Sequence, residues 1–257
     1  MSAAAFFAPY RQEPVSIRGV PGKSPMFFRD FHLMGAVFTA DRARVSAALP
    51  RGYRALKAPV GRALVAVHCM EYKDSDVGPY NEVSLSLALK RGWVPCTSLI
   101  QAAGSLWTRT YHAYVKALPV TTEVALHGGV DFFNYPKYLA DISFRETKSH
   151  RVCTVRDRES GDLILEFEGR RIATGVLAAD AQDTMTLRTY PELDGRPHRA
   201  TLLVNRVQYG TCYFRGAGLR YGTHPRSEAF AGLGAGPVFE YLYAPRCQGV
   251  LFKPEAL

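Results

Sequence analysis

The sequence predicts a mainly β protein, an antiparallel barrel or a pair of sheets around an internal cavity with a few short helices. Three observations carry this reading. The chain is rich in aromatic residues, with 14 Tyr and 14 Phe among 257 residues, and aromatics pack well on pleated surfaces. From Asp141 onward apolar and polar residues alternate in short runs broken by Gly, Pro and Asp, a strand-turn-strand rhythm. Strand and helix patterns alternate at only one early place, so a parallel α/β fold, which needs a helical crossover between strands, is poorly supported.

The elements follow in order. Residues 1–25 contain four prolines and little periodicity, which predicts an extended arm followed by a single domain over residues 26–257. FFRDFHLMGAVF reads as the first strand. TADRARVSAAL has a Thr or Asp start and Pro50 just beyond its end, which predicts a short helix. ALVAVHCMEYKD reads as a buried strand, and GPYNEVSLSLALK as a turn leading into another, with Glu82 at its entry. TTEVALHGGVDFF predicts a second short helix opened by Thr121 or Thr122, with Gly128 and Gly129 near its end, so that Lys137 follows a helix-to-strand connection. ADISFRE, RVCTVRDRESGDLILEFEG, TMTLRTYPELDG and RATLLVNRVQYGTCYF continue as strands and turns. GAGLRYGTHPRSEAFAGLGAG is Gly-rich without a helical pattern and predicts loops over a site or an edge, before a closing piece, PVFEYLYAPRCQGVLF.

Composition narrows the functional classes. Hydrophobic residues at 47% and charged residues at 21% are ordinary globular usage and exclude a disordered chain. The formal charge of +9 is spread over scattered arginines, so no nucleic-acid partner is expected. The densest basic stretch, RETKSHRVCTVRDRES, interleaves Glu146, Asp157 and Glu159 and reads as a solvated hairpin. Cys69, Cys96, Cys153, Cys212 and Cys247 are widely spaced and odd in number, which fits reduced thiols in the cytoplasm better than a disulfide framework. MSAAAFFAPY lacks a basic leader and meets Pro9 early, so it is not expected to act as a signal peptide. No run reaches the ~18–20 apolar residues of a membrane helix.

Familiar chemical motifs fail on their details. GLGAGP lacks the Lys-Ser/Thr of a phosphate loop and the strand-helix context of a dinucleotide site. His32, His68, His112, His127, His150, His198 and His224 show no metal-binding spacing, so each is expected to be structural and no metal or cofactor is implied. AAGSLW around Ser105 lacks the glycines of a nucleophile elbow. Cys96 and Cys153 read as small buried hydrophobes.

The run FNYPKYLADISF places Lys137 straight after a proline among aromatic and aliphatic residues. In a strand, Lys137, Leu139, Asp141 and Ser143 share one face and Tyr138, Ala140, Ile142 and Phe144 the other. That pattern by itself is also what a solvated strand lysine gives.

GVDFFNYPKYLADISF resembles the active-site segment of the acetoacetate decarboxylase superfamily, in which the lysine after a Tyr-Pro pair forms a Schiff base. FFRDFHLMGAVFTADRARVSAALPRGY is similar to that family's opening strand and helix, with Arg29 at its functional arginine. GPYNEV is similar to its Tyr-x-Glu segment, and FEYLYAPRCQGVLF to its closing Pro-Arg segment. The likeness implies Lys137 as nucleophile, Glu82 as proton-transfer group, Arg29 as orienter of a substrate carboxylate, and a homo-oligomer. Tyr241 in the closing segment is a further candidate for hydrogen bonding a carbonyl or hydroxyl. Two positions depart from the family pattern: Tyr138 stands where a second lysine is usual, and the strand around Ala66 and Val67 lacks an acidic residue. The activity implied is a carbon-carbon or carbon-oxygen lyase working on a keto acid or ketone by decarboxylation or aldol-dehydration chemistry. Phe132, Phe133 and Tyr135 are expected to keep the lysine dry. The same residues also admit a noncatalytic small-molecule-binding domain, or a hydrolase or cyclase using Glu82 without the amine.

Overall fold

The computed structural model describes residues 4–90, 108–178 and 183–257; the AAGSLW stretch and Cys96 lie outside them. Its largest structural unit is a closed barrel of seven strands. The strands among the described residues are β1 (Glu13–Ile17), β2 (Val20–Ser24), β3 (Met26–Ala40), β4 (Ala63–Ser75), β5 (Tyr80–Ala88), β6 (Thr110–Val120), β7 (Lys137–Glu146), β8 (His150–Asp157), β9 (Leu163–Arg170), β10 (Gly175–Val176), β11 (Thr184–Thr189), β12 (Glu192–Leu193), β13 (Arg196–Tyr213), β14 (Ala217–Tyr221), β15 (Val238–Leu251) and β16 (Glu255–Ala256). Helices are short: α1 (Ala4–Phe7), α2 (Arg42–Ala48), α3 (Glu123–Phe133) and α4 (Glu228–Ala231).

Barrel strands run in the order β13, β15, β3, β4, β5 and β6, and β11 closes the ring by pairing antiparallel to β13 and parallel to β6. A second sheet, β7-β8-β9-β14, branches off through a short parallel pairing of Leu118 in β6 with Lys137 in β7. It covers the outside of β15, β3, β4 and β5. In β4 the odd residues Val65, Val67 and Cys69 enter the core between barrel and covering sheet, with Ile142, Val155, Leu165 and Phe167 opposite them. Leu64, Ala66, His68 and Met70 alternate into the barrel. With both faces of the strand covered, ALVAVHCM reads as an unbroken apolar run.

Several expectations change here. Within the expected arm, the described residues 4–25 hold α1 and the β1-β2 hairpin. That hairpin is tied to the body, since Ile17 is 2% exposed and Arg18 makes a two-pronged ion pair with Asp131 of α3, both bonds at 2.8 Å. The Gly-rich late segment holds β14 and α4, because Leu219 and its neighbours complete the edge of β9. The basic stretch does form the β7-β8 hairpin, yet Arg151 is buried and bonded to Glu71, Glu146 and His32 rather than solvated. Gly128 and Gly129, expected near the end of α3, are the sixth and seventh of its eleven residues, and the helix is capped by Asn134 in the left-handed conformation at φ 48.

Candidate active site

The barrel end capped by α3 encloses a cavity of about 120 Å³. Inside it, Lys137 Nζ lies 2.7 Å from Glu82 Oε2, and the two side chains are only 7% and 10% exposed. The sequence places each partner by a simple rule. Glu82, Ser84 and Ser86 alternate inward along β5 while Val83, Leu85 and Leu87 enter the outer core. Lys137 opens β7 just after the chain has reversed at the end of α3, where Asn134 and Tyr135 donate their backbone N–H groups to Val130 and Gly129. Pro136 then accepts from the Leu118 N–H, which pins the start of β7 beside β6.

The reversal lays the Lys137 side chain across the backbone of α3. A methyl group placed on Gly129 would stand 3.0 Å from Nζ and overlap Cδ and Cε outright. Gly128, one position earlier, faces Ile17 of the hairpin. The pair of glycines therefore lets two elements approach the helix closely, which a helix-ending reading of the Gly-Gly pair misses.

Three phenols complete the chamber. Tyr72 donates a long hydrogen bond of 3.4 Å to Glu82 Oε1, and the Tyr80 ring centroid lies 5.9 Å from Nζ. Their two rings pack 4.5 Å apart. Burial, and then the charge of Glu82, raises both phenol pKa values well above the ordinary value, so both remain O–H donors. Tyr135 is bonded to Thr189 Oγ1 at 2.6 Å and stacks on Phe133 with centroids 5.2 Å apart. Phe133 and Tyr135 line the cavity as expected, whereas Phe132 does not. His68, expected to be structural, also lines it; burial lowers its pKa to about 4, so the ring is neutral near pH 7.

Arg29 and Tyr241 are not brought to this site. The Arg29 guanidinium is held by Asp76 at 2.5 Å and Asp74 at 3.6 Å, and Arg29 is absent from the cavity lining. Tyr241 occupies an odd position of β15, so alternation turns it into the core between the sheets while Leu242 faces the barrel. It is 0% exposed and its hydroxyl donates to the Arg170 carbonyl at 2.9 Å. Tyr138 projects opposite to Lys137, with the Arg226 guanidinium 4.2 Å above its ring. A lysine in its place would start from that opposite face. Among the described residues no three His, Cys, Asp or Glu side chains gather as a metal site, and no helix is long and apolar enough to cross a membrane.

This arrangement is an amine, a carboxylate and phenol donors in a mostly apolar chamber, which suits covalent capture of a carbonyl. A family model described as acetoacetate decarboxylase matches residues 7–234. Among solved structures the fold is similar to an acetoacetate decarboxylase from Legionella pneumophila, with 11% identity over 91% of this chain and 87% of that one and a TM-score of 0.64. It is similar to an acetoacetate decarboxylase-like enzyme from Sphingomonas wittichii, with 16% identity over 90% and 91% and a TM-score of 0.52. It is also similar to the enduracididine biosynthesis enzyme MppR complexed with pyruvate, with 12% identity over 90% and 89% and a TM-score of 0.59. No curated protein sequence matches the chain.

Proposed function

Because the chain belongs to the acetoacetate decarboxylase family, we propose that it is a lysine Schiff-base lyase acting on a keto acid or ketone. The observation that carries this reading is the Lys137–Glu82 pair, 2.7 Å apart inside the barrel. Proton transfer from Nζ to Glu82 frees the amine to attack the carbonyl carbon. The resulting carbinolamine takes that proton back on its hydroxyl and loses water. A protonated imine then faces a carboxylate again, so charge is balanced at the start and at the end. The cationic imine draws electrons from a bond at the neighbouring carbon. Carbon dioxide leaves if that bond holds a carboxylate; if it holds a proton, an enamine forms that adds to an aldehyde and dehydrates. Tyr72 and Tyr80 supply O–H donors near the developing oxygen charge. Arg29 and Tyr241 take no substrate contact in this scheme. MppR, crystallised with pyruvate and with a condensation product of pyruvate and an aldehyde, supports keto acids as the substrate class.

Borohydride reduction in the presence of acetoacetate or pyruvate, followed by peptide mass spectrometry, tests the reading. Irreversible labelling is expected at Lys137, absent in Lys137→Met and slowed by ~10²–10⁴-fold in Glu82→Gln, the usual range for a lost general acid-base. A folded protein that binds these keto acids and never becomes labelled is a binding domain, and the proposal fails. Turnover retained by Lys137→Met points instead to hydrolase or cyclase chemistry at Glu82.

A further inference from the structure

The barrel holds a second chamber of about 160 Å³ beyond the first. Its walls are the same inward positions of the same strands, further along the barrel: Val37 of β3, Ala66 of β4, Ser86 and Ala88 of β5, and Leu242 of β15. His68, Met185 and Leu187 line both chambers. The two spaces therefore adjoin at these three side chains, which form the waist between them. A methyl group on Gly35 would overlap the His68 ring, so the glycine opposite in β3 is what gives the imidazole room at the waist. Met185, unbranched and adaptable, can widen it.

The second chamber is lined mostly by apolar side chains, among them Val37, Leu56, Leu64, Leu89 and Phe239. Arg206 at its wall is bonded to Asp183, with both bonds near 3 Å, a carboxylate it shares with Arg109, and lies 4.2 Å over the Tyr209 ring. Glu240 is the one carboxyl lining this chamber among the described residues; burial raises its pKa while the nearby Arg206 charge works the other way. Cavities of about 150 Å³ take a benzene-sized group, so each chamber has room for roughly one such group.

We infer that the lumen is bipartite, with the substrate's keto head at Lys137 and an apolar tail passing His68 into the second chamber. This deepens the Schiff-base reading and rests on it for the head's position. The substrate class becomes an extended keto acid or ketone with a hydrocarbon or aryl tail, rather than a free acetoacetate-sized molecule. Ala66 and Ala88 line only the tail chamber and set the length it accepts.

Calorimetric titration of the full chain with pyruvate, 2-oxobutanoate, 2-oxohexanoate and 2-oxooctanoate reads the tail directly and needs no imine. Each added methylene is expected to tighten binding about fourfold until the chamber is full, the factor for burying one methylene. Ala66→Phe fills the tail chamber and is expected to abolish that rise while leaving pyruvate labelling at Lys137 unchanged. Ala88→Leu, from the neighbouring strand, repeats the test should Ala66→Phe fail to fold. Affinity flat along the series, or a rise that survives in the folded variant, overturns the bipartite lumen. A rise that the filled variants abolish, without labelling of Lys137, upholds the lumen and removes the Schiff base. Labelling with flat affinity does the reverse.

Discussion

Gly129→Ala separates the site from the scaffold that carries it. A helix-interior Gly→Ala change ordinarily stabilises by about 1 kcal/mol, and nothing about the backbone at Gly129 forbids alanine, since it is not among the glycines with positive φ. The new methyl group would stand 3.0 Å from Lys137 Nζ and closer still to Cδ and Cε, where carbon contacts need ~3.5–4 Å. The obstacle is the far end of a flexible side chain, so the lysine yields before the helix does. Relief takes a withdrawal of about 1 Å, and a misplacement of that size costs on the order of 10²-fold in rate. Overpacking costs about 1–3 kcal/mol, which the helix gain partly offsets, leaving about 0–2 kcal/mol of destabilisation. For a chain of this size that lowers the melting temperature by less than about 8 °C. The assay pairs a thermal melt with the rate of borohydride labelling by pyruvate. A folded Gly129→Ala protein labelled within about threefold of the wild-type rate refutes the argument that this close approach holds the amine in place.

Other predictions concern residues around the lumen. His68 carries a folded pKa lowered to about 4 by burial against 6.5 unfolded, so the unfolded chain binds the extra proton first as pH falls. The folded state should lose up to about 3 kcal/mol between pH 6.5 and pH 4 through this group. Urea unfolding of His68→Gln should show a shallower acid decline than the wild type over that window, and parallel curves would reject the assignment. Arg29→Gln removes the ion partner of Asp76, whose side chain is 2% exposed, and should cost about 1–3 kcal/mol with labelling of Lys137 nearly unchanged. A hundredfold loss of labelling at unaltered stability would return Arg29 to the substrate. Tyr241→Phe deletes the hydrogen bond to Arg170 and should cost about 1 kcal/mol without moving keto-acid affinity in calorimetry; a weakened affinity would contradict its place in the outer core.

How much of this could be read from sequence depends on whether the information is local. Strand alternation predicts that Lys137 and Tyr138 project oppositely and that Glu82 shares a face with Ser84 and Ser86, because two-residue periodicity is a property of the backbone alone. The start of α2 was legible as a Thr or Asp cap, because capping is a local preference; the fold selects Asp41, whose carboxylate accepts from the Arg44 N–H. The resemblance placed Lys137 and Glu82 in one site, and the fold puts them 2.7 Å apart. It also suggested Arg29, which the fold commits to Asp74 and Asp76. The N-terminal hairpin was not legible, since Pro14 and Pro21 sit in a two-stranded ribbon where an edge position tolerates the missing donor.

The chain by itself, through its periodicity and punctuation, determined a mainly β architecture, the faces of individual strands and a lysine poised after a proline. Which of two buried faces meets the lumen was decided by closure of β11 between β13 and β6 and by the sheet that covers the outside. Those contacts join residues far apart in sequence, and a parity rule names two faces without saying what lies beyond either. Tyr241 and Leu242 are adjacent and both buried, yet only the tertiary structure sends one into the core between the sheets and the other into the lumen.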